Sequence, residues 1–250
     1  MSTTENTTAE VSSAEHNDEK ATNGIIVARG VKKDYHSDSV VVHAVRGIDL
    51  TIQKGEFTAV VGPSGSGKTT FLNIISGLDT PTEGSILLNN REISSMGGNE
   101  LSDFRRDNIG FVFQAYNLIP VLNVEENIEY IMMLQGVEKE KRHERVLEIL
   151  EEMGLEGYEK RFPAQLSGGQ QQRVAIARAM ASKPALILAD EPTANLDSAT
   201  STSLLDMMRK LNEETGMTFL FSTHDQHVVD KARRVVILED GKNVREEIRE

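Results

Sequence analysis

The stretch Gly62-Pro63-Ser64-Gly65-Ser66-Gly67-Lys68-Thr69 decides the fold of this chain. It fits the pattern G-x-x-x-x-G-K-[ST], in which small residues let successive backbone N–H groups converge on phosphate oxygens. The preceding run Phe57-Thr58-Ala59-Val60-Val61 is typical of a strand that is buried on both faces, and residues 68–76 are predicted to form a helix. Because strand, glycine loop and helix are the context that the pattern requires, the sequence predicts a phosphate-binding loop.

The residue types in and after this loop predict the chemistry of a nucleotide site. Lys68 is expected to reach the β- and γ-phosphates as a point charge, and the Thr69 hydroxyl to hold Mg²⁺. Further along the chain, Leu186-Ile187-Leu188-Ala189-Asp190-Glu191 is an apolar strand that ends in two acids. A parallel strand beside the loop strand would place Asp190 near the Mg²⁺ through water, with Glu191 able to polarise an attacking water.

The composition is that of an ordinary soluble protein. Its 250 residues, 38% hydrophobic and 26% charged, can form a core in one large or two small domains. No apolar run approaches the roughly 18–20 residues of a membrane span and no secretory signal is visible, so a cytoplasmic location is expected. The absence of cysteine excludes disulfides and thiolate metal sites. A formal net charge of -12 disfavours nonspecific contact with nucleic acid, so no nucleic-acid partner is expected.

The pattern along the chain predicts a tail followed by one domain. Residues 1–23 carry five acids, a single lysine and almost nothing apolar, which predicts a disordered acidic tail, and the domain covers residues 24–250. Between about residues 100 and 165 the periodicity predicts a helical subdomain inserted into an α/β core. Short strands are predicted at 25–27, 40–42, 48–52, 85–88, 110–114, 185–189, 218–222 and 235–238, and helices at 138–153, 168–182 and 198–215.

A second glycine-bearing motif, Leu166-Ser167-Gly168-Gly169-Gln170, precedes the predicted helix 168–182. With the glycine loop and the acid pair, it makes the chain resemble the ATPase subunits of ATP-binding-cassette (ABC) transporters from residue 24 to about residue 245. The resemblance implies an α/β fold: a P-loop NTPase core with a mostly parallel sheet, an antiparallel β subdomain and an inserted α-helical subdomain. It also implies that the chain binds and hydrolyses ATP with Mg²⁺.

The resemblance assigns roles to particular residues. Gln114 matches the glutamine loop, which senses Mg²⁺ and water, and His224 matches the switch histidine, which donates to the γ-phosphate. Tyr35 lies 33 residues before Lys68 and fits the aromatic residue that stacks on adenine. Asn195-Leu196-Asp197 matches the loop after the acid pair. The implied catalytic residues are Lys68, Gln114, Glu191 and His224; the nucleotide-binding residues are Tyr35, Gly62, Pro63, Ser64, Gly65, Ser66, Gly67, Lys68, Thr69, Thr70, Ser167, Gly168, Gly169, Gln170 and Asp197; the metal-binding residues are Thr69, Gln114 and Asp190.

The resemblance also implies partners and a transporter branch. The family forms a head-to-tail dimer in which each signature motif covers the γ-phosphate bound by the second copy, and it acts on a separate transmembrane permease at the cytoplasmic face of the membrane. The run 110–120, followed by Val124-Glu125-Glu126-Asn127, resembles the macrolide-exporter and lipoprotein-release branch, whose members transmit motion to permeases of the macrolide-exporter or cell-division type. Two alternatives stay open: a cell-division signalling ATPase that controls a wall hydrolase without transport, and an importer subunit.

Overall fold

Two β-sheets, seven α-helices and one short 3₁₀ helix (Pro163–Gln165) make up the fold in the residues that the computed structural model describes, 24–37 and 40–249. The predicted acidic tail at 1–23 lies outside the described residues. The strands are β1 (Ile26–Ser37), β2 (Val40–Ile52), β3 (Phe57–Val61), β4 (Glu83–Leu88), β5 (Arg91–Glu92), β6 (Ile109–Phe113), β7 (Leu186–Asp190), β8 (Phe219–Thr223), β9 (Arg234–Glu239) and β10 (Lys242–Ile248). The helices are α1 (Lys68–Ile75), α2 (Gly98–Asn108), α3 (Val124–Leu134), α4 (Lys139–Met153), α5 (Gly168–Ala181), α6 (Ser198–Thr215) and α7 (Gln226–Lys231).

The larger sheet has six strands in the order β10-β9-β3-β8-β7-β6, and only β10 runs antiparallel to its neighbour. Along the five parallel strands, side chains alternate between two cores. On β7, Ile187 and Ala189 pack with α3, α4, α5 and α6, whereas Leu186 and Leu188 pack with α1, α2 and the smaller sheet. The predicted mostly parallel P-loop core is therefore confirmed.

The expected adjacency of the loop strand and the acidic strand is wrong, because β8 lies between β3 and β7. All three strands are parallel, and their register places Val61 opposite Thr223 and Asp190 opposite Ser222. The carboxyl ends of β3, β8 and β7 therefore meet at one edge of the sheet. The acid pair and the glycine loop reach the same cleft with one strand between them.

The smaller sheet is antiparallel, in the order β2-β1-β4-β5. The expected separate strands at 40–42 and 48–52 are parts of the single strand β2, and β1 continues to Ser37. Irregularities in the register between β1 and β2, together with Gly30 and Gly47 at positive φ, let these long strands bend without ending. The predicted antiparallel subdomain is present, with fewer and longer strands than the local pattern indicated.

The predicted helical range of about 100–165 includes β6, which is the outer strand of the six-stranded sheet. After α2, the helices of this range begin at Val124, where Asn123 and Glu126 form a reciprocal capping box at the start of α3. Helix α4 ends at Gly154, which adopts φ 63. Among the helices of the described residues, none is long and apolar enough to cross a membrane.

Candidate functional site

A cavity of about 950 Å³ opens around the glycine loop at the carboxyl ends of the parallel strands. Its lining includes the four predicted catalytic residues Lys68, Gln114, Glu191 and His224. The other predicted residues in the lining are Pro63, Ser64, Gly65, Gly67, Thr69 and Thr70. Residues that are far apart in the sequence, from 63 to 224, are thus brought to one site by the shared edge of the sheet.

The glycine loop is held between the two sheets at positions where a side chain would collide with backbone. A Cβ on Gly62 would lie 2.1 Å from the Leu238 carbonyl oxygen, and one on Gly67 would lie 2.4 Å from the Ala44 carbonyl oxygen. Gly67 also adopts φ 94, a left-handed conformation that L-residues rarely take. The loop therefore needs glycine at these positions for close backbone approach.

Lys68 lies at the start of α1, and its buried side chain folds back over the loop. Its Nζ donates to the carbonyl oxygens of Gly62 at 2.8 Å and Pro63 at 3.0 Å. Within residues 24–37 and 40–249 no carboxylate forms an ion pair with Lys68. Since its charge is held by two neutral acceptors, it is available to an anionic ligand in the cavity.

Asp190 at the end of β7 is half-buried, and its Oδ1 is a buried atom that has no hydrogen-bond partner among the described residues. Burial raises the pKa of Asp190 above its ordinary value, and the neighbouring Glu191 charge acts in the same direction. A buried carboxylate oxygen without a partner fits a divalent cation. Thr69 and Gln114, which line the cavity, also carry side-chain oxygens, the type of donor that Mg²⁺ prefers beside phosphates.

Glu191 and His224 are in direct contact. His224 Nδ1 lies 2.6 Å from Glu191 Oε1, and the Thr223 hydroxyl donates to Glu191 Oε2 at 3.0 Å. Glu191 adopts φ 48, a costly conformation for a residue with a Cβ, and its N–H donates to the Ser222 carbonyl oxygen at 2.9 Å. The backbone is therefore held so that this carboxylate turns from the strand end toward the cavity.

The predicted signature residues line a second cavity of about 500 Å³, which contains Ser167, Gly168, Gly169, Gln170 and Asp197. Ser167 caps α5: its Oγ accepts from Gln170 N–H at 3.3 Å, and Gln170 Oε1 accepts from Ser167 N–H at 2.9 Å. Asp197 caps α6, and hydrogen bonds from Thr200 lower its pKa. The two cavities share no lining residue, so one chain keeps the two predicted sets apart.

Tyr35, Gly62, Ser66 and Asp190 are predicted site residues that do not line the nucleotide cavity. The Tyr35 hydroxyl donates to Asp79 Oδ2 at 2.7 Å, and Lys33 Nζ lies 5.0 Å from the Tyr35 ring centroid. The stacking role of Tyr35 stays a prediction.

Sequence reasoning missed five residues of β2 that line the cavity: Val41, Val42, His43, Ala44 and Arg46. The pairing of β2 with β1, and the hydrogen bond from Arg46 N–H to the Gly241 carbonyl oxygen at 2.7 Å, help to bring this strand to the glycine loop, against which Ala44 also lies. Three consecutive exposed valines, 40–42, are the one local signal that was available.

Comparison with known proteins identifies the family. Residues 45–194 match the family model described as ABC transporter. The chain is 45% identical to an uncharacterized ABC transporter ATP-binding protein, MJ0796, of Methanocaldococcus jannaschii, with 89% of this chain and 97% of that protein covered. It is 40% identical to the lipoprotein-releasing system ATP-binding protein LolD of Legionella pneumophila (strain Lens), with coverage of 87% and 96%.

Solved structures agree with the sequence relatives. The dimeric structure of a post-hydrolysis state of the ATP-binding cassette MJ0796, bound to ADP and Pi, superposes with a TM-score of 0.82 at 44% identity, covering 89% of this chain and 98% of that chain. The family model spans more than half of this chain, and the glycine loop, acid pair and signature motif occupy the sites described above. The chain therefore belongs to the ABC transporter family, and it is an ATP-binding subunit that hydrolyses ATP.

Proposed function

We propose that two copies of this chain form a head-to-tail dimer around two ATP molecules, and that hydrolysis drives a separate membrane permease from the cytoplasmic face. The separation of the two cavities is the observation that carries this proposal. Ser167 and the N–H groups of Gly168 and Gly169 lie at the positive end of α5, suited to phosphate, but they line a different cavity from Lys68. A second copy in the reverse orientation supplies them.

The hydrolytic step uses the contact between Glu191 and His224. Glu191 polarises the attacking water, and the switch histidine donates to the γ-phosphate. The contact between His224 Nδ1 and Glu191 Oε1 orients the imidazole ring, and it leaves Nε2 as the ring nitrogen that donates to the γ-phosphate.

Four further residues complete the part of the proposed site that holds the phosphates and Mg²⁺: Lys68, Thr69, Gln114 and Asp190. Lys68 neutralises charge on the β- and γ-phosphates, for which its position over the glycine loop is suited. Thr69, Gln114 and Asp190 hold Mg²⁺, which when bound stabilises negative charge on the phosphate oxygens. The backbone N–H groups of residues 62–70 hold the phosphates, and Tyr35 stacks on adenine.

A permease-binding surface is supported by exposed apolar side chains next to α2. Leu78 is 51% exposed, and Met133 and Leu134 at the end of α3 are 46% and 50% exposed. Arg105 of α2 donates to the Gly77 carbonyl oxygen at 2.6 Å, and Gln135 donates to the carbonyl oxygen of the next α2 residue, so α2 joins the two apolar ends. An apolar surface of this kind marks a protein interaction site, and we propose a cytoplasmic segment of the permease as its partner.

The proposed branch is export or extraction of lipoprotein, peptide or drug-like cargo by transmitted motion. The relatives named LolD and the macrolide export protein MacB of Nitrobacter winogradskyi support it; the latter is 42% identical over 34% of its own length. A cell-division signalling ATPase and an importer subunit are the alternatives. Neither is favoured by a specific feature of the site.

The test is to trap the Glu191→Gln form with ATP in membranes of its own cell, extract it gently and identify the co-purified permease by mass spectrometry. The matched control is Lys68→Ala, which is expected to capture less permease because it binds ATP weakly. A permease with few spans and a large outer domain supports the branch. A many-span permease with a binding protein contradicts it, and equal capture by both variants contradicts ATP-driven assembly.

A further inference from the structure

The segment 114–117, between β6 and α3, has an unusual backbone. Tyr116 and Asn117 adopt φ 59 and φ 52, so two consecutive residues that are not glycine lie in the left-handed region. Each such residue costs roughly 1–2 kcal/mol relative to a right-handed conformation. Such conformations persist only where the surrounding structure holds them, and they concentrate at functional sites.

Arg178 on α5 is the side chain that holds this backbone. Its Nη1 donates to the Asn117 carbonyl oxygen at 2.5 Å, and its Nη2 donates to the Tyr116 carbonyl oxygen at 3.0 Å. Burial lowers the pKa of Arg178, and no carboxylate pairs with it among the described residues. Because the guanidinium is a rigid planar group, its two hydrogen bonds fix the orientation of both carbonyl groups.

The same segment touches both cavities. Gln114 lines the nucleotide cavity, and its carbonyl oxygen accepts from Asn195 Nδ2 at 2.9 Å. Asn195 itself lines the signature cavity. At the other end of the segment, the Tyr116 hydroxyl lies 2.9 Å from the point that a Cβ on Gly168 would occupy, so the tyrosine packs directly on the signature motif.

We propose that Arg178 is a positioning residue for ATP hydrolysis: it holds the left-handed backbone of Tyr116 and Asn117, and thereby fixes Gln114 in the nucleotide cavity and links it to the signature motif of the same chain. Arg178 acts through the backbone and touches no substrate. The inference rests on the proposed role of Gln114 in hydrolysis. It adds a fixed connection from Gln114 to the surface that a second copy's nucleotide would contact.

The test compares full-length variants by ATP turnover, ATP affinity and thermal unfolding. Arg178→Met keeps the aliphatic part of the side chain and removes the N–H donors of the guanidinium group. We expect kcat to fall roughly 10- to 100-fold, as for a positioning error of about 1 Å, with the Kd for ATP within about two-fold of wild type. Adding Asn117→Gly to Arg178→Met is expected to recover most of the lost kcat, because glycine adopts positive φ without a Cβ penalty. Asn117→Gly alone is expected to resemble wild type.

A purely structural role for Arg178 predicts a different pattern. Loss of kcat in Arg178→Met that Asn117→Gly does not restore, or undiminished turnover in Arg178→Met, overturns the inference. If the methionine variant does not fold, Arg178→Lys replaces it: a lower kcat with unchanged ATP affinity supports the inference, and a wild-type kcat overturns it. Gln114→Ala distinguishes a failure of the proposed role of Gln114 from a failure of the inference about Arg178. Full turnover in Gln114→Ala refutes the role of Gln114. Slow turnover in Gln114→Ala together with wild-type turnover in Arg178→Met refutes only the inference.

Discussion

Replacing Gly67 by alanine tests whether the glycine loop is packed closely between the two sheets. Two effects are expected. Alanine at φ 94 costs roughly 1–2 kcal/mol for the left-handed conformation. In addition, its Cβ would lie 2.4 Å from the Ala44 carbonyl oxygen, which is backbone of β2 and cannot rotate away. Overpacking of this kind costs about 1–3 kcal/mol.

Gly65→Ala is the matched control, because Gly65 adopts φ 82 and nothing lies within 4 Å of its Cβ position. The conformational cost is common to both variants and cancels, so the difference in free energy of unfolding is about 1–3 kcal/mol. At about 2–4 °C per kcal/mol for a domain of this size, Gly67→Ala should melt roughly 2–12 °C below Gly65→Ala without nucleotide. Differential scanning calorimetry measures this. Equal melting temperatures for Gly67→Ala and Gly65→Ala would refute the close packing of the loop against β2.

Three further predictions concern the nucleotide site and the helical part of the chain. Tyr35→Ala should weaken ATP binding by roughly 1–3 kcal/mol in calorimetric titration, whereas Tyr35→Phe keeps the ring and should bind normally; equal binding by both variants would make Tyr35 a packing residue. Lys68→Ala should raise the Kd for ATP, and an unchanged Kd would contradict its phosphate contact. Burial raises the pKa of Glu125, but hydrogen bonds from Lys160 and His143 outweigh it and depress the folded-state pKa below 4.5. The Glu125 carboxylate therefore stabilises the fold above that pH, and the stability gap between wild type and Glu125→Gln should close as pH falls below it; a gap that persists in urea titrations at low pH would contradict this.

The parts of the fold that the sequence predicts are those with a strong local pattern. The runs at β3 and β7 are apolar because both faces of each strand are buried, and α6 was predicted with its observed bounds, which Asp197 and Gly216 mark as caps. Strand β10 was missed because Lys-Asn-Val-Arg-Glu-Glu-Ile alternates mostly exposed charges at a sheet edge. Helix α7 was missed because six residues give too little periodicity.

The candidate site also has a part that the sequence predicts and a part that it does not. Its residue types were predictable, because phosphate, Mg²⁺ and water each demand particular groups at particular positions. Its supporting contacts were not: the Leu238 carbonyl oxygen behind Gly62 and the Arg178 contact with Asn117 join segments that are distant in sequence. The place of β8 between β3 and β7 was also missed, because parallel strand order depends on crossover connections rather than on local pattern.

The most direct test of the proposed mechanism is the mass of the Glu191→Gln form by light scattering, with and without ATP. Glu191→Gln should slow hydrolysis by roughly 10²–10⁴-fold and so retain ATP. The account predicts a monomer without nucleotide and a dimer with ATP, and it predicts that adding Ser167→Arg abolishes the dimer while ATP still binds. A monomer in the presence of ATP, or a dimer that survives Ser167→Arg, would contradict the cross-subunit site.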